Sequence, residues 1–389
     1  MANADMGGTR PAGAATDPVE DGLDAGVLET LRERIQAEVD DGTVPAGQIA
    51  IGLDGRIVHR ENFGAATDDS RFAVFSVTKA FIAGVVWQLL AEGSLEIDTP
   101  VIELVPSFAA AKGMTLEHLL THTGGFPAAP LGPPQWDTPE GRAERYSHWR
   151  LQYPPGEHFE YHPTSGHWVI AEMIEAVEGS DYRTVLQNRL LDPLGLEGFS
   201  LGGETGRTAA MEELTAVGEP PTPEEIQEVL GTTEFDLGEV TPEILLAFNY
   251  PEVRAVGIPA AGGISDAASI ATYYQHLLHN SGDTWKPSVL ADGTARVHCN
   301  LPDPVHGAPA NRTLGLILAG DDGQSALRGM GHTVSPQTFG HNGAGGQIAW
   351  ADPASGISFA FCTSGIDRNF ISEARRTSAI ASVAGELRA

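Results

Sequence analysis

Ser76 and Lys79 stand three residues apart in Ser76-Val77-Thr78-Lys79, at the head of the most apolar stretch of the chain. Residues i and i+3 share a helix face, so the Lys79 amine can reach the Ser76 hydroxyl. The helix N-terminus favours negative charge developing on that oxygen. A serine hydroxyl is inert at neutral pH unless a neighbour takes its proton, and burial of Lys79 favours the neutral amine able to do so. Lowering a lysine from about 10.4 to near 7 costs roughly 4 to 5 kcal/mol, which the fold must offset. A capping serine followed by a snorkelling lysine would read the same from the string alone. The motif therefore needs partners.

Lysine is rare here: of 23 basic residues only Lys79, Lys112 and Lys286 are lysines. Set against 52 acidic residues they leave a formal charge of −29, which repels a phosphate backbone and argues against a nucleic-acid partner. The chain of 389 residues is long enough for a large core, in two or three domains or one elaborated one. Two cysteines, Cys299 and Cys362, are too few for a disulfide framework or a cysteine zinc site, and both are expected to be buried thiols. Residues 1–25 lack the apolar core of a signal peptide and read as a disordered leader. No later stretch offers about 18 uninterrupted apolar residues, so the expectation is a soluble, cytoplasmic protein with no membrane partner.

The elements that must position the pair follow from periodicity. Leu28, Leu31, Ile35 and Val39 give a helix over 25–41, and Asp54-Gly55 joins two extended runs, 46–53 and 56–63, as a hairpin. An apolar helix runs from Ser76 to Glu92 and stops at Gly93. Helical patterns then fill 115–121, 166–177, 182–191 and 267–278. Ten acidic residues and no basic one between Glu212 and Glu243 read as a solvated excursion or lid. Extended runs return at 313–319, 338–350 and 357–363 before a closing helix over 369–387. The expected fold is α+β, an α/β sandwich: a sheet domain from 26–105 and 286–389 around a helical domain, 106–285.

Several motifs in order resemble the serine β-lactamase and penicillin-binding protein superfamily, in particular class C β-lactamases and family VIII carboxylesterases. They are Phe75-Ser-Val-Thr-Lys79, the run Leu116 to Pro127 with His118, His122 and Gly124-Gly125, Pro155-Gly156 through Tyr161-His162, Ala261-Gly-Gly263, and Phe339-Gly-His-Asn-Gly-Ala-Gly-Gly346 followed by Ala351-Asp-Pro353. The resemblance implies an antiparallel sheet flanked by helices, with an all-helical insertion. It also implies that Tyr161 is the phenol that hydrogen-bonds the nucleophile and the lysine; an ammonium beside a phenol favours the phenolate, so Tyr161 or Lys79 could be the base. Pro163 stands where class C enzymes carry an asparagine, so no amide role carries over.

The family's Lys-Thr-Gly triplet matches His341-Asn342-Gly343, without the lysine. The resemblance implies that Gly343 lets substrate approach and that the backbone N–H groups of Ser76 and Ala344 form the oxyanion hole, worth about 3 to 4 kcal/mol per donor. A histidine is mostly neutral at pH 7, whereas β-lactams and peptidoglycan peptides carry a carboxylate that a fixed cation would hold. Neutral esters are the better match. Phe126, Trp136 and Trp168 are expected to line the pocket with His341.

His118 and His122 have metal-ligand spacing, but Glu117 precedes the pair and no third ligand is evident, so no metal and no other cofactor is expected. Gly263-Ile-Ser265 and Gly356-Ile-Ser358 lack the closing glycine of a nucleophile elbow. The reading is an esterase acting on a small-molecule ester through an acyl-enzyme on Ser76. A β-lactamase or DD-peptidase-like amidase is the alternative, and a non-catalytic binding protein on the same fold is the alternative of another class. Oligomeric state is left open.

Overall fold

The computed structural model describes residues 22–233 and 238–388; most of the expected leader lies outside them. A six-stranded antiparallel sheet has the order 56–64, 46–53, 357–363, 348–352, 339–340, 317–318. Strand neighbours thus come from both ends of the chain, with Ala50 opposite Ala360 and, on its other side, Arg60. Asp54 and Gly55 adopt φ of 51° and 77°, the turn that the Asp-Gly dipeptide favours.

Alternation along the inner strands sorts side chains by size. Ile49, Ile51, Phe359 and Phe361 pack against Leu28, Leu31 and Ile35 of the helix Ala25–Asp40 and Ile380 of the helix Phe370–Gly385. The opposite face presents Ala50, Ala349, Ala351 and Ala360, small enough for the helix Ala267–His279 to lie close. At Gly52 an added Cβ would collide with Gln275 of that helix and with Ser358. The Ser358 hydroxyl donates to the Ala271 carbonyl at 2.7 Å, tying helix to sheet. Residues 267–279 therefore belong with the sheet layer, where the sequence had placed them in the helical part. Asn369 and Asp24 cap the two outer helices.

Behind this layer the helix Thr78–Glu92 is buried on almost every side and ends at Gly93 in the left-handed conformation. With the turn before it, Phe75–Glu92 is apolar and long enough to cross a membrane by composition, but it is packed inside the protein. The inserted region is dominated by helices, notably Leu116–Leu120, Ser165–Glu178 and Tyr182–Leu186, the last running into a π-helical turn, Gln187–Leu191. Short strands accompany them: 72–73, 263–265 and 200–201 form one small sheet, and 215–217 pairs in parallel with 365–367.

The run expected to be extended from 338 to 350 is broken. Strands 339–340 and 348–352 are joined through a tight turn, Ala344–Gly346, in which Gly345 and Gly346 take φ of 72° and 85°. Consecutive left-handed residues demand glycine, and their presence turns the chain back at the site.

Candidate active site

Ser76 sits in a 3-10 turn, Phe75–Val77, that runs directly into the α-helix. Phe75 is held at φ 44°, a strained value for a bulky residue. The turn is fixed from behind: Val74 N–H donates to Gly263 O at 3.0 Å, and the Thr78 hydroxyl receives Gly263 N–H at 2.9 Å while donating to Phe75 O at 2.6 Å.

Lys79 is fully buried. Its Nζ lies 3.0 Å from Ser76 Oγ and donates to Pro163 O at 2.8 Å and Ala260 O at 3.0 Å. The two carbonyls aim the amine at the serine, and Ala260 supplies one of them just before the Ala261-Gly-Gly263 motif. Burial pushes the Lys79 pKa down, and the charge of Arg312 adds to this, against the opposing pull of Tyr161 and Glu239. The Tyr161 hydroxyl lies 2.9 Å from Ser76 Oγ, and its ring is 5.0 Å from Lys79 Nζ. Three groups from two distant segments thus meet at one oxygen.

Tyr161 is delivered by two loops zipped together. Gln152 N–H bonds Gly125 O at 2.7 Å, Gly156 N–H bonds Thr123 O at 2.9 Å, and Glu160 N–H bonds His122 O at 3.2 Å. Two histidine nitrogens then accept backbone donors: His122 Nδ1 from His162 N–H and His162 Nε2 from Phe126 N–H, both at 3.1 Å. His118 Nδ1 accepts Thr115 N–H at 3.0 Å and so caps its own helix. These rings are spent on backbone groups. Burial keeps His122 neutral and lowers His162 to about 4.

Ser76 opens into a cavity of about 300 Å³. Trp136 and Trp168 line it together with Phe75, Leu131, Ile244, Phe248 and Ala344. Phe126 does not line it: it is fully buried and packs edge-on against Phe108 and His162, which makes it part of the scaffold under Tyr161. His341 is also buried away from this cavity, its ring 6.0 Å from that of Tyr161 and its Nδ1 2.8 Å from Asn342 O. Burial holds it well below the usual histidine range, with Arg312 and Lys79 adding to the effect, so it carries no charge.

Gly343 has a packing role of its own. An added Cβ there would run into the Val74 carbonyl oxygen and the Gln347 side chain. The glycine lets the strand end close on the turn that carries Ser76, and brings Ala344 to the cavity wall beside it.

Two residues of the site had no motif to announce them. Arg312 is buried, with its guanidinium 5.3 Å from the ring centroids of both Tyr161 and Phe159. Its Nε and Nη1 have no hydrogen-bond partner among the described residues. Glu239, from the acidic excursion, lines the cavity with Val240, Ile244 and Leu245 and accepts the Thr164 hydroxyl at 2.7 Å. Part of the expected solvated excursion is therefore a wall of the site. Cys299 and Cys362 are free and buried.

The family model described as Beta-lactamase matches residues 31–382. The chain belongs to the beta-lactamase family. It is 27% identical to penicillin-binding protein 4 of Amycolatopsis lactamdurans, over 86% of this chain and 84% of that one. Against the esterase/beta-lactamase LipL of Mycobacterium tuberculosis it is also 27% identical, over 81% and 76% of the two chains. Its fold superposes on a crystal structure of a family VIII carboxylesterase with a TM-score of 0.72 at 20% identity, covering 92% of this chain and 98% of that one. This is the serine β-lactamase and penicillin-binding protein fold.

Proposed function

We propose that the protein hydrolyses carboxylic esters through an acyl-enzyme on Ser76. Ser76 Oγ attacks the ester carbonyl carbon as its proton passes to the Tyr161 and Lys79 pair. The backbone N–H groups of Ser76 and Ala344 receive the oxyanion. Collapse breaks the bond to the alcohol oxygen, which takes a proton from the same pair and leaves. Water, deprotonated by that pair, attacks the acyl carbon, and Ser76 departs with its proton restored.

The observation that carries the choice of substrate is the lining of the cavity beside Ser76. Among the described residues its one ionisable wall residue is an acid, Glu239, set among Trp136, Trp168, Phe248 and aliphatic side chains. A carboxylate-bearing β-lactam or peptide would meet a like charge there, and the neutral His341 offers it no cation. The relative LipL, named both esterase and β-lactamase, is compatible with this reading.

Turnover of p-nitrophenyl butyrate compared with nitrocefin tests it. Faster ester turnover, a fluorophosphonate adduct mapped to Ser76 and loss of both in Ser76→Ala are expected. Efficient nitrocefin cleavage with feeble ester turnover would favour the amidase alternative, and no labelling at all would favour a binding protein.

A further inference from the structure

An isolated carboxylate in an aromatic pocket is a receptor for a cation. We propose that the cavity beside Ser76 takes substrates whose apolar or aromatic body carries a protonated amine, and that Glu239 receives that amine. The chemistry at Ser76 rests on the esterase reading above; the binding preference does not.

Several observations converge. Glu239 is half-buried, and one of its oxygens, Oε2, accepts the Thr164 hydroxyl at 2.7 Å. Thr164 follows Tyr161-His162-Pro163 directly, so the carboxylate is anchored to the segment that carries the phenol and stands in fixed relation to the nucleophile. Lys79 is the one cation whose charge reaches Glu239 among the described residues, and its amine is already committed to Ser76 and two carbonyls. Burial pushes the Glu239 carboxyl up from its ordinary value, a cost that an ammonium seated against it would relieve. Trp136, Trp168, Phe75 and Phe248 surround the same space, and aromatic faces attract ammonium groups while accommodating an aryl or alkyl body. A volume of about 300 Å³ suits one such arm of a small ester.

The test uses an isosteric pair, the p-nitrophenyl esters of 4-(aminomethyl)phenylacetic acid and 4-ethylphenylacetic acid. The full-length protein is expected to favour the amine in kcat/KM by roughly tenfold or more, as a charge-assisted hydrogen bond supplies. Glu239→Gln is expected to bring that ratio close to one, and Glu239→Asp to keep part of it. A wild-type ratio at or below one, or a preference that persists in Glu239→Gln, overturns the proposal. Calorimetric titration of Ser76→Ala with phenethylammonium and with 2-phenylethanol reads the same preference without turnover. If neither ester is cleaved while the ammonium still binds more tightly and Glu239→Gln abolishes the difference, the esterase reading fails and this one stands. Equal binding of the two probes sinks it.

Discussion

Arg312 lies over the face of Tyr161, its guanidinium carbon 5.3 Å from the ring centroid, with Nε and Nη1 unpartnered among the described residues. A buried cation left so poorly satisfied costs stability, and its compensation is sought in what its field does to neighbours. After burial itself, Arg312 is the influence that lowers the Lys79 pKa. Arg312→Met is therefore expected to raise that pKa, so that neutral Lys79 appears only at higher pH. The ascending limb of the kcat/KM profile should move upward, with ester turnover at pH 7 falling roughly tenfold and recovering as pH rises. Arg312→Lys should keep much of the limb in place. Stability to denaturant should hold or increase in the methionine variant. A uniform loss at every pH would show that Arg312 acts by packing alone.

Lys79 makes the same point about its own charge. Its pKa is pushed below 10.5 by burial, so in the window between that lowered value and 10.5 the unfolded chain holds a proton that the folded one lacks. Folding stability must then rise with pH across this window, by at most about 1.4 kcal/mol per unit for the one proton. Lys79→Met removes the slope, so its stability relative to wild type should improve as pH falls through the window. Its ester turnover should drop by roughly a thousandfold or more, and the double variant with Ser76→Ala should be little worse than either single one, because the groups act as a unit. Urea titrations at several pH values, alongside turnover, read both. Parallel stability curves for the two proteins would refute the linkage.

At Gly343 the expectation is steric. The methyl group of Gly343→Ala would fall on the Val74 carbonyl oxygen, which is backbone and cannot swing aside. The strand end should lift from the Ser76 turn, lowering stability by about 1 to 3 kcal/mol and ester turnover by at least roughly tenfold through a misplaced Ala344 amide. Thermal unfolding and single-turnover acylation measure the two effects. Normal acylation in a fully folded variant would remove Ala344 from the oxyanion hole.

What the sequence reveals of this site follows from how local each signal is. Ser76 and Lys79 are one helical turn apart, so their meeting needs only a helix, and Tyr161 lies in a run dense with recognisable motif residues. The two glycines after Ala344 could have signalled the break in the 338–350 run, since left-handed backbone in succession is incompatible with a straight strand. Whether the helix Ala267–His279 packs on the sheet or on other helices depends on which alanines oppose it, information split between residues 50, 349 and 360. Phe126 sits inside a motif, yet its ring belongs to the core beside His162 and not to the pocket. Glu239 is hidden in an acidic run that composition marks as solvated, and Arg312 in a stretch with no pattern at all. Both matter only through neighbours more than 70 residues away, such as Thr164 and Tyr161.

The buried histidines make the last prediction. His167 is almost wholly enclosed, neither ring nitrogen has a partner among the described residues, and burial holds its pKa well below 6.5. The unfolded chain protonates this ring as pH drops past 6.5 while the folded chain does not, so the stability it allows is fully present above 6.5 and is lost on acidification toward the folded pKa. Other groups confuse the total: His162 and His341 act in the same sense, whereas Glu373, half-buried and raised to about 7, acts in the opposite one. The difference between wild type and His167→Leu cancels them. Leucine of similar size forfeits no hydrogen bond there, so the variant should match wild type or exceed it at pH 7.5. Between pH 6 and 5 its advantage should grow, by at most about 1.4 kcal/mol per pH unit. Denaturant unfolding of both proteins over that range reads the slope, and an advantage that stays constant with pH would mean that His167 is already protonated, or solvated, in the folded protein.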